Sequence, residues 1–178
     1  MLDEMVILVD ENDQAVGAAE KMQAHEQGLL HRAFSVFVVR KVENDYEVLL
    51  QQRNSAKYHC GTLWTNTCCS HPRMHESVMQ AAQRRLEEEM GFSIELQLLN
   101  AFTYRAEFSN GLIEHEYDHV LVGYYNNENI QPDPNEVQDY AWCKIATLKQ
   151  DIACRPEIYT PWLLPALEIL QQHFETIT

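Results

Sequence analysis

Three groups of side chains in this sequence could do chemistry. His25, His31 and His71 fall in expected loops or at element ends, and Glu114 and Glu116 sit two apart in a strand-like run. Residues two apart on a strand point to the same face, so both carboxylates can reach one ion. Three imidazoles and two carboxylates suit a divalent transition metal with one coordination position open. Spread as they are from His25 to Glu116, the same five also fit unrelated surface histidines and a solvated strand face. The second group is Arg84-Arg85-Leu86-Glu87-Glu88-Glu89-Met90-Gly91. Arg85 and Glu89 are four apart and share a helix face, where they can hold a diphosphate and a Mg²⁺ ion; the pattern also fits an exposed helix laced with Arg–Glu pairs. The third is Trp64-Thr65-Asn66-Thr67-Cys68-Cys69-Ser70-His71-Pro72. A thiol two residues from an imidazole is either an acid–base group or nucleophile, or a structural loop cysteine.

These residues must be positioned by elements that can be read from the pattern. Met5–Val9 and Ala15–Ala19 read as strands across an Asp10–Asp13 turn, followed by a short helix over Lys21–Gln27 closed by Gly28. Ala33–Arg40 and Tyr46–Gln52 are strand-like around Asn44-Asp45. Val78, Ala81, Ala82 and Leu86 recur at helical spacing within 77–90, with Gly91 at the expected stop. Strands follow over 94–99, 101–108 and 113–125, the last two split by Ser109-Asn110-Gly111. A loop over 128–136, a strand over 137–143 and a helix over 162–174 with Pro161 at its start complete the chain's expected elements. Mixed strands with a few helices predict an α/β or α+β fold.

The 178 residues fit one domain, with 46% hydrophobic residues and no linker or repeat. Apolar runs are far shorter than the roughly 20 residues of a bilayer span. The start, Met1-Leu2-Asp3-Glu4, is acidic where a secretory signal is basic, so the cytoplasm is expected. Five cysteines read as free thiols rather than a disulfide framework. The net charge of −14 repels nucleic acid and anionic membrane surfaces. A phosphate-bearing substrate therefore needs a local cluster of cations or a metal ion.

Taken together, the segments resemble the type I isopentenyl-diphosphate isomerases. Matching pieces are 65–72, Tyr104-Arg105-Ala106, Glu114-His115-Glu116, Asn135-Glu136-Val137 and Thr160-Pro161-Trp162, in the family's order over nearly the whole chain. The helix also resembles a Nudix box, with Ser70 at the first Gly and Glu76 at the first Glu, and with Glu88, Glu89, Gly91 and Phe92 in place. Arg85 stands where that box has a glutamate, a departure the isomerases share and the Nudix hydrolases do not.

The resemblance implies a Nudix-like mixed sheet between helices, and a role for each matching position. His25, His31, His71, Glu114 and Glu116 ligate a tightly bound Zn²⁺, Mn²⁺ or Mg²⁺, and Glu89 holds Mg²⁺ beside the diphosphate. Lys21, Arg53, Lys57 and Arg85 bind its oxygens. Cys69 and Glu116 are the acid–base pair, Tyr104 relays a proton to Glu116, and Trp162 faces a tertiary carbocation. The resemblance leads us to expect a monomer or weak dimer acting on isopentenyl diphosphate. His59, His75, His115, His119 and His173 receive no role. Two rival readings remain: a Nudix pyrophosphohydrolase acting on a nucleoside diphosphate derivative, and a silent metal- or phosphate-binding module.

Overall fold

β-branched and aromatic runs build a mixed sheet, and a computed structural model describes it over residues 4–177; the acidic Met1-Leu2-Asp3 lies outside the described residues. Among these residues nine strands form the sheet: β1 (Met5–Val9), β2 (Ala15–Glu20), β3 (His31–Val42), β4 (Asp45–Arg53), β5 (Trp64–Thr65), β6 (Cys68–Ser70), β7 (Leu96–Glu107), β8 (Ile113–Tyr124) and β9 (Val137–Lys144). Four helices accompany them: α1 (Lys21–Gln27), α2 (Val78–Met90), α3 (Ile145–Cys154) and α4 (Leu163–Ile177). The mixed, helix-flanked sheet agrees with the expected class.

β3 is the central strand. Ala33 to Val39 is buried throughout, as a strand covered on both faces must be. One edge of β3 pairs in parallel with β8, and the other takes β6 and then β4 antiparallel. Alternate β3 residues feed two cores. Phe37 and Val39 join Val120 and Val122 against α3 and α4, while Phe34, Val36 and Val38 join Leu121 against α2.

α2 begins where a capping box dictates. Ser77 accepts from the Gln80 backbone N–H, and the Gln80 side chain returns the bond to Ser77. It ends at Gly91, which is left-handed at φ 76; a Cβ there would stand 2.3 Å from the Gln131 carbonyl oxygen, so only glycine fits. Both ends agree with the sequence reading.

Elsewhere the structure departs from it. The strands expected over 94–99 and 101–108 are one strand, β7, whose register shifts between Leu98 and Ala101. The last helix starts at Leu163, one residue later than expected, with Trp162 accepting its first bond from Ala166 N–H. Pro165 then lies in the first turn, where a missing N–H leaves nothing unpaired. α3, β5 and β6 were not expected. No described helix is long and apolar enough to cross a membrane.

Candidate active site

The register of three strands lays out the site. Tyr104 on β7 pairs with Glu116 on β8, and Glu116 pairs with His31 on β3. Directly paired residues share a face, so the phenol, carboxylate and imidazole form a row across the sheet. Glu114, two residues before Glu116, joins the same buried face. On the opposite edge of β3, Ser35 pairs with Cys69 of β6. Cys69 and Glu116 thus reach the site from strands flanking β3 on either side.

Three histidines converge on that row. Gly28 ends α1 in a left-handed turn, and the chain then returns as β3. Within α1, His25 Nδ1 donates to the Lys21 carbonyl at 2.6 Å, while His31 Nδ1 donates to the Leu29 carbonyl at 2.8 Å. Each bond fixes the tautomer that leaves Nε2 as a free lone pair. His31 Nε2 lies 3.2 Å from His71 Nε2, and Glu116 Oε1 lies 2.9 Å from His71 and 3.5 Å from His31. An ion with bonds of about 2.1 Å spaces neighbouring ligands about 3.0–3.4 Å apart, and these electron-rich atoms already stand at that spacing. Donor atoms of His25, His31, His71 and Glu116 all lie within 4.8 Å of one another in buried surroundings. A second group of His25, His59 and Glu114 meets the same limit. Glu114 Oε2 has no hydrogen-bond partner. The residues fit a divalent metal.

Burial sets the protonation of this cluster. It pushes His25 down to about 4 and His59 down to about 2, from an ordinary 6.5, and lowers His71 as well. Burial also raises Glu114, and the neighbouring charge of Glu116 adds to the rise. Glu116 feels the same burial, yet its close polar contacts with His31 and His71 outweigh it and hold its carboxyl well below the usual range. The metal-free pair therefore shares one proton, kept on Glu114, and His25, His59 and His71 are neutral. Binding a divalent ion near pH 7 is expected to release about one proton per ion. His25, His59 and His71 should add nothing to that count as pH falls to about 5, because burial keeps them neutral and His25 gains its proton only around 4. Calorimetry in buffers of different ionisation enthalpy reads the number; a release that climbs by several protons per ion below pH 6.5 would mean ordinary histidines at these three positions.

A single pocket joins this cluster to the remaining candidates. Lys21, Arg53, Lys57, Cys69, His71, Arg85, Glu89, Glu114, Glu116 and Trp162 all line it, with Tyr58, His59 and Ser70. His25, His31 and Tyr104 stand behind its wall, Tyr104 donating to Glu116 Oε2 at 3.2 Å. Cys69 accepts from Arg53 Nη1 at 3.7 Å; burial nevertheless pushes the thiol well up, so it keeps its proton at neutral pH. Four cations, Lys21, Arg53, Lys57 and Arg85, are gathered in the pocket's lining against the acidic whole. Arg85 bonds Glu89 at 2.5 Å and Glu88 at 2.8 Å, Lys57 pairs with Glu136, and Lys21 lies over the Tyr58 ring. Glu89 is buried and also accepts from Gln51 Nε2 at 2.8 Å. The Nε atoms of Arg53 and Arg85 are buried without partners, as groups awaiting an anionic ligand would be.

Two contributors escaped the sequence reading. Asn66, fully buried, accepts from Trp162 Nε1 at 3.1 Å and donates to the Val36 and Cys68 carbonyls, so it sets the indole beside the pocket. Its only sequence signal was its place just before the two cysteines. His59 is the other, and its loop carries no periodic pattern to mark it. His115, His119 and His173 instead bond Gly28, Asp13 and Tyr124 away from the pocket. All five cysteines are free thiols.

Comparison with known proteins fits this arrangement. A profile described as the NUDIX domain matches residues 29–163. The isopentenyl-diphosphate Delta-isomerase of Serratia proteamaculans (strain 568) is 48% identical over 169 residues, covering 95% of this chain and 92% of its own. The isopentenyl-diphosphate Delta-isomerase of Photobacterium profundum is 48% identical over 171 residues, covering 94% of each. Among solved structures, DR0079 from Deinococcus radiodurans superposes with a TM-score of 0.71 at 17% identity, covering 93% of this chain and 98% of that one. At that identity the likeness speaks for the fold alone.

Proposed function

Because this chain belongs to the NUDIX family, and within it to the type I isopentenyl-diphosphate isomerases, we propose that its pocket moves the double bond of isopentenyl diphosphate to give dimethylallyl diphosphate. The observation that carries this reading is one pocket lined by both a protonated thiol, Cys69, and an ionised carboxylate, Glu116. The reaction adds a proton to one carbon of a flat alkene and removes one from another, through a tertiary carbocation. It therefore needs an acid and a base around a five-carbon unit.

The roles we assign follow from the contacts. Cys69 and Glu116 exchange protons with the substrate, and Tyr104 passes a proton to and from Glu116 through its hydroxyl. Trp162 presents its π face to the cation, a contact worth roughly 2 kcal/mol when desolvated. Asn66 holds the indole in place. His25, His31, His71, Glu114 and Glu116 would hold one tight divalent ion, Zn²⁺, Mn²⁺ or Mg²⁺, which when bound orients Glu116 and tunes its acidity. Glu89 would hold Mg²⁺ against the diphosphate, whose oxygens are met by Lys21, Arg53, Lys57 and Arg85. We further place residues 1–178 as one isomerase domain, a monomer or weak dimer in the cytoplasm, where its thiols stay reduced.

Arg85 argues against hydrolysis, since a cation occupies a place where Nudix hydrolases have a glutamate. Incubation with isopentenyl diphosphate and Mg²⁺ in D₂O, followed by proton NMR, separates the readings. Dimethylallyl diphosphate carrying deuterium is the expected product. Phosphate release would replace the proposal with a hydrolase, and an unchanged substrate with a binding module.

A further inference from the structure

His59 lies in the loop between β4 and β5, in a pocket wall, and is 5% exposed. Neither of its ring nitrogens has a hydrogen-bond partner. The ring itself is firmly held. Phe108 stacks on it at 4.8 Å and 10°, Trp162 meets it edge-on at 6.0 Å, and Arg53 Nη2 donates to the His59 backbone carbonyl at 3.3 Å. Packing thus fixes an imidazole in a dry wall with both polar atoms unused, which is costly unless something else takes a lone pair.

What faces that lone pair is a metal ligand set. His59 Nε2 is 3.5 Å from Glu114 Oε1 without a hydrogen bond, and the other Glu114 oxygen is unpartnered too. Donor atoms of His25, His59 and Glu114 lie within 4.8 Å of one another. His25 decides how this group relates to the cluster of His25, His31, His71 and Glu116. Its Nδ1 is committed to the Lys21 carbonyl, so it has one lone pair to give, on Nε2. One lone pair serves one ion. The two groups are therefore two sides of a single centre.

We propose that His59 is a further ligand of the one tightly bound ion, completing a six-residue shell of four imidazoles (His25, His31, His59, His71) and two carboxylates (Glu114, Glu116). The proposal rests on the reading of this cluster as a metal centre and deepens it. The six donors do not form one group within 4.8 Å, so the bound ion closes the remaining gap between the His59–Glu114 side and the His31–His71–Glu116 side. Four nitrogens in the shell select a transition ion over Mg²⁺, which prefers oxygen.

Titrating the metal-free full chain with Co²⁺ tests this without any activity measurement. The visible bands report coordination number, being weak for six ligands and stronger for five or four, and the titration also gives affinity and stoichiometry. The expected result is one ion per chain with weak bands. His59→Ala should strengthen the bands and lower affinity about 10- to 100-fold, with His59→Gln as a second variant should the alanine chain fail to fold; circular dichroism of the metal-free forms checks folding. Unchanged bands and affinity in a folded variant would overturn the role of His59 and leave the five-residue centre standing. Two ions per chain would overturn the single shell. No Co²⁺ binding by the unmutated chain would instead bring down the metal centre itself.

Discussion

Cys69→Ala is expected to lower kcat by about three orders of magnitude while leaving the bound metal in place. The thiol lines the pocket from β6, across β3 from Glu116, and is not a member of either metal-ligand group. Its side chain accepts the long bond from Arg53 Nη1, and its loss leaves that guanidinium with the His59 carbonyl. Removing a single sulfur should barely disturb a pocket-lining position, whereas it deletes one of the two groups able to exchange a proton with the alkene. Steady-state rates and metal analysis on the same preparation check both halves. Turnover within tenfold of the unmutated chain would remove Cys69 from the chemistry.

Glu116→Gln should do more, because Glu116 has two duties. Its Oε1 lies among the histidine nitrogens and its Oε2 accepts from Tyr104. An amide of the same shape keeps the packing but surrenders the charge. Metal affinity is expected to fall on the order of 100-fold, and turnover by about 10⁴-fold. The two losses separate under excess metal: occupancy returns, and turnover does not. If refilling the site restored the rate, Glu116 would be a ligand and nothing else.

Much of this site could be read from residue order alone, for reasons visible in particular residues. Glu114 and Glu116 share a buried face because a strand repeats every two residues. α2 announced itself through the spacing of Val78, Ala81, Ala82 and Leu86 and its end through Gly91, all local signals. His31 and Tyr104 needed the resemblance to join them, since their meeting depends on strand register. α3 went unread because its N-cap, Lys144, makes no side-chain cap, so its start carries no local signal even though Pro156 follows its end. β5 and β6 have two and three residues, and exist because β4 and β3 offer them partners from distant sequence. The β7 bulge made one strand look like two. His59 was invisible for a related reason: its loop is shaped by left-handed residues at Cys60 and Thr62 rather than by any repeating pattern.

The hydrogen bond between the His25 ring and the Lys21 carbonyl has a further consequence. Lys21 opens α1 and lines the pocket, and one turn later His25 points a nitrogen at the ligand cluster. Whatever pulls on the first residue of that turn tugs the last. An anion gripping Lys21 and an ion gripping His25 thus act on one short rigid lever, and the influence of each on the other's dissociation constant must be equal in both directions.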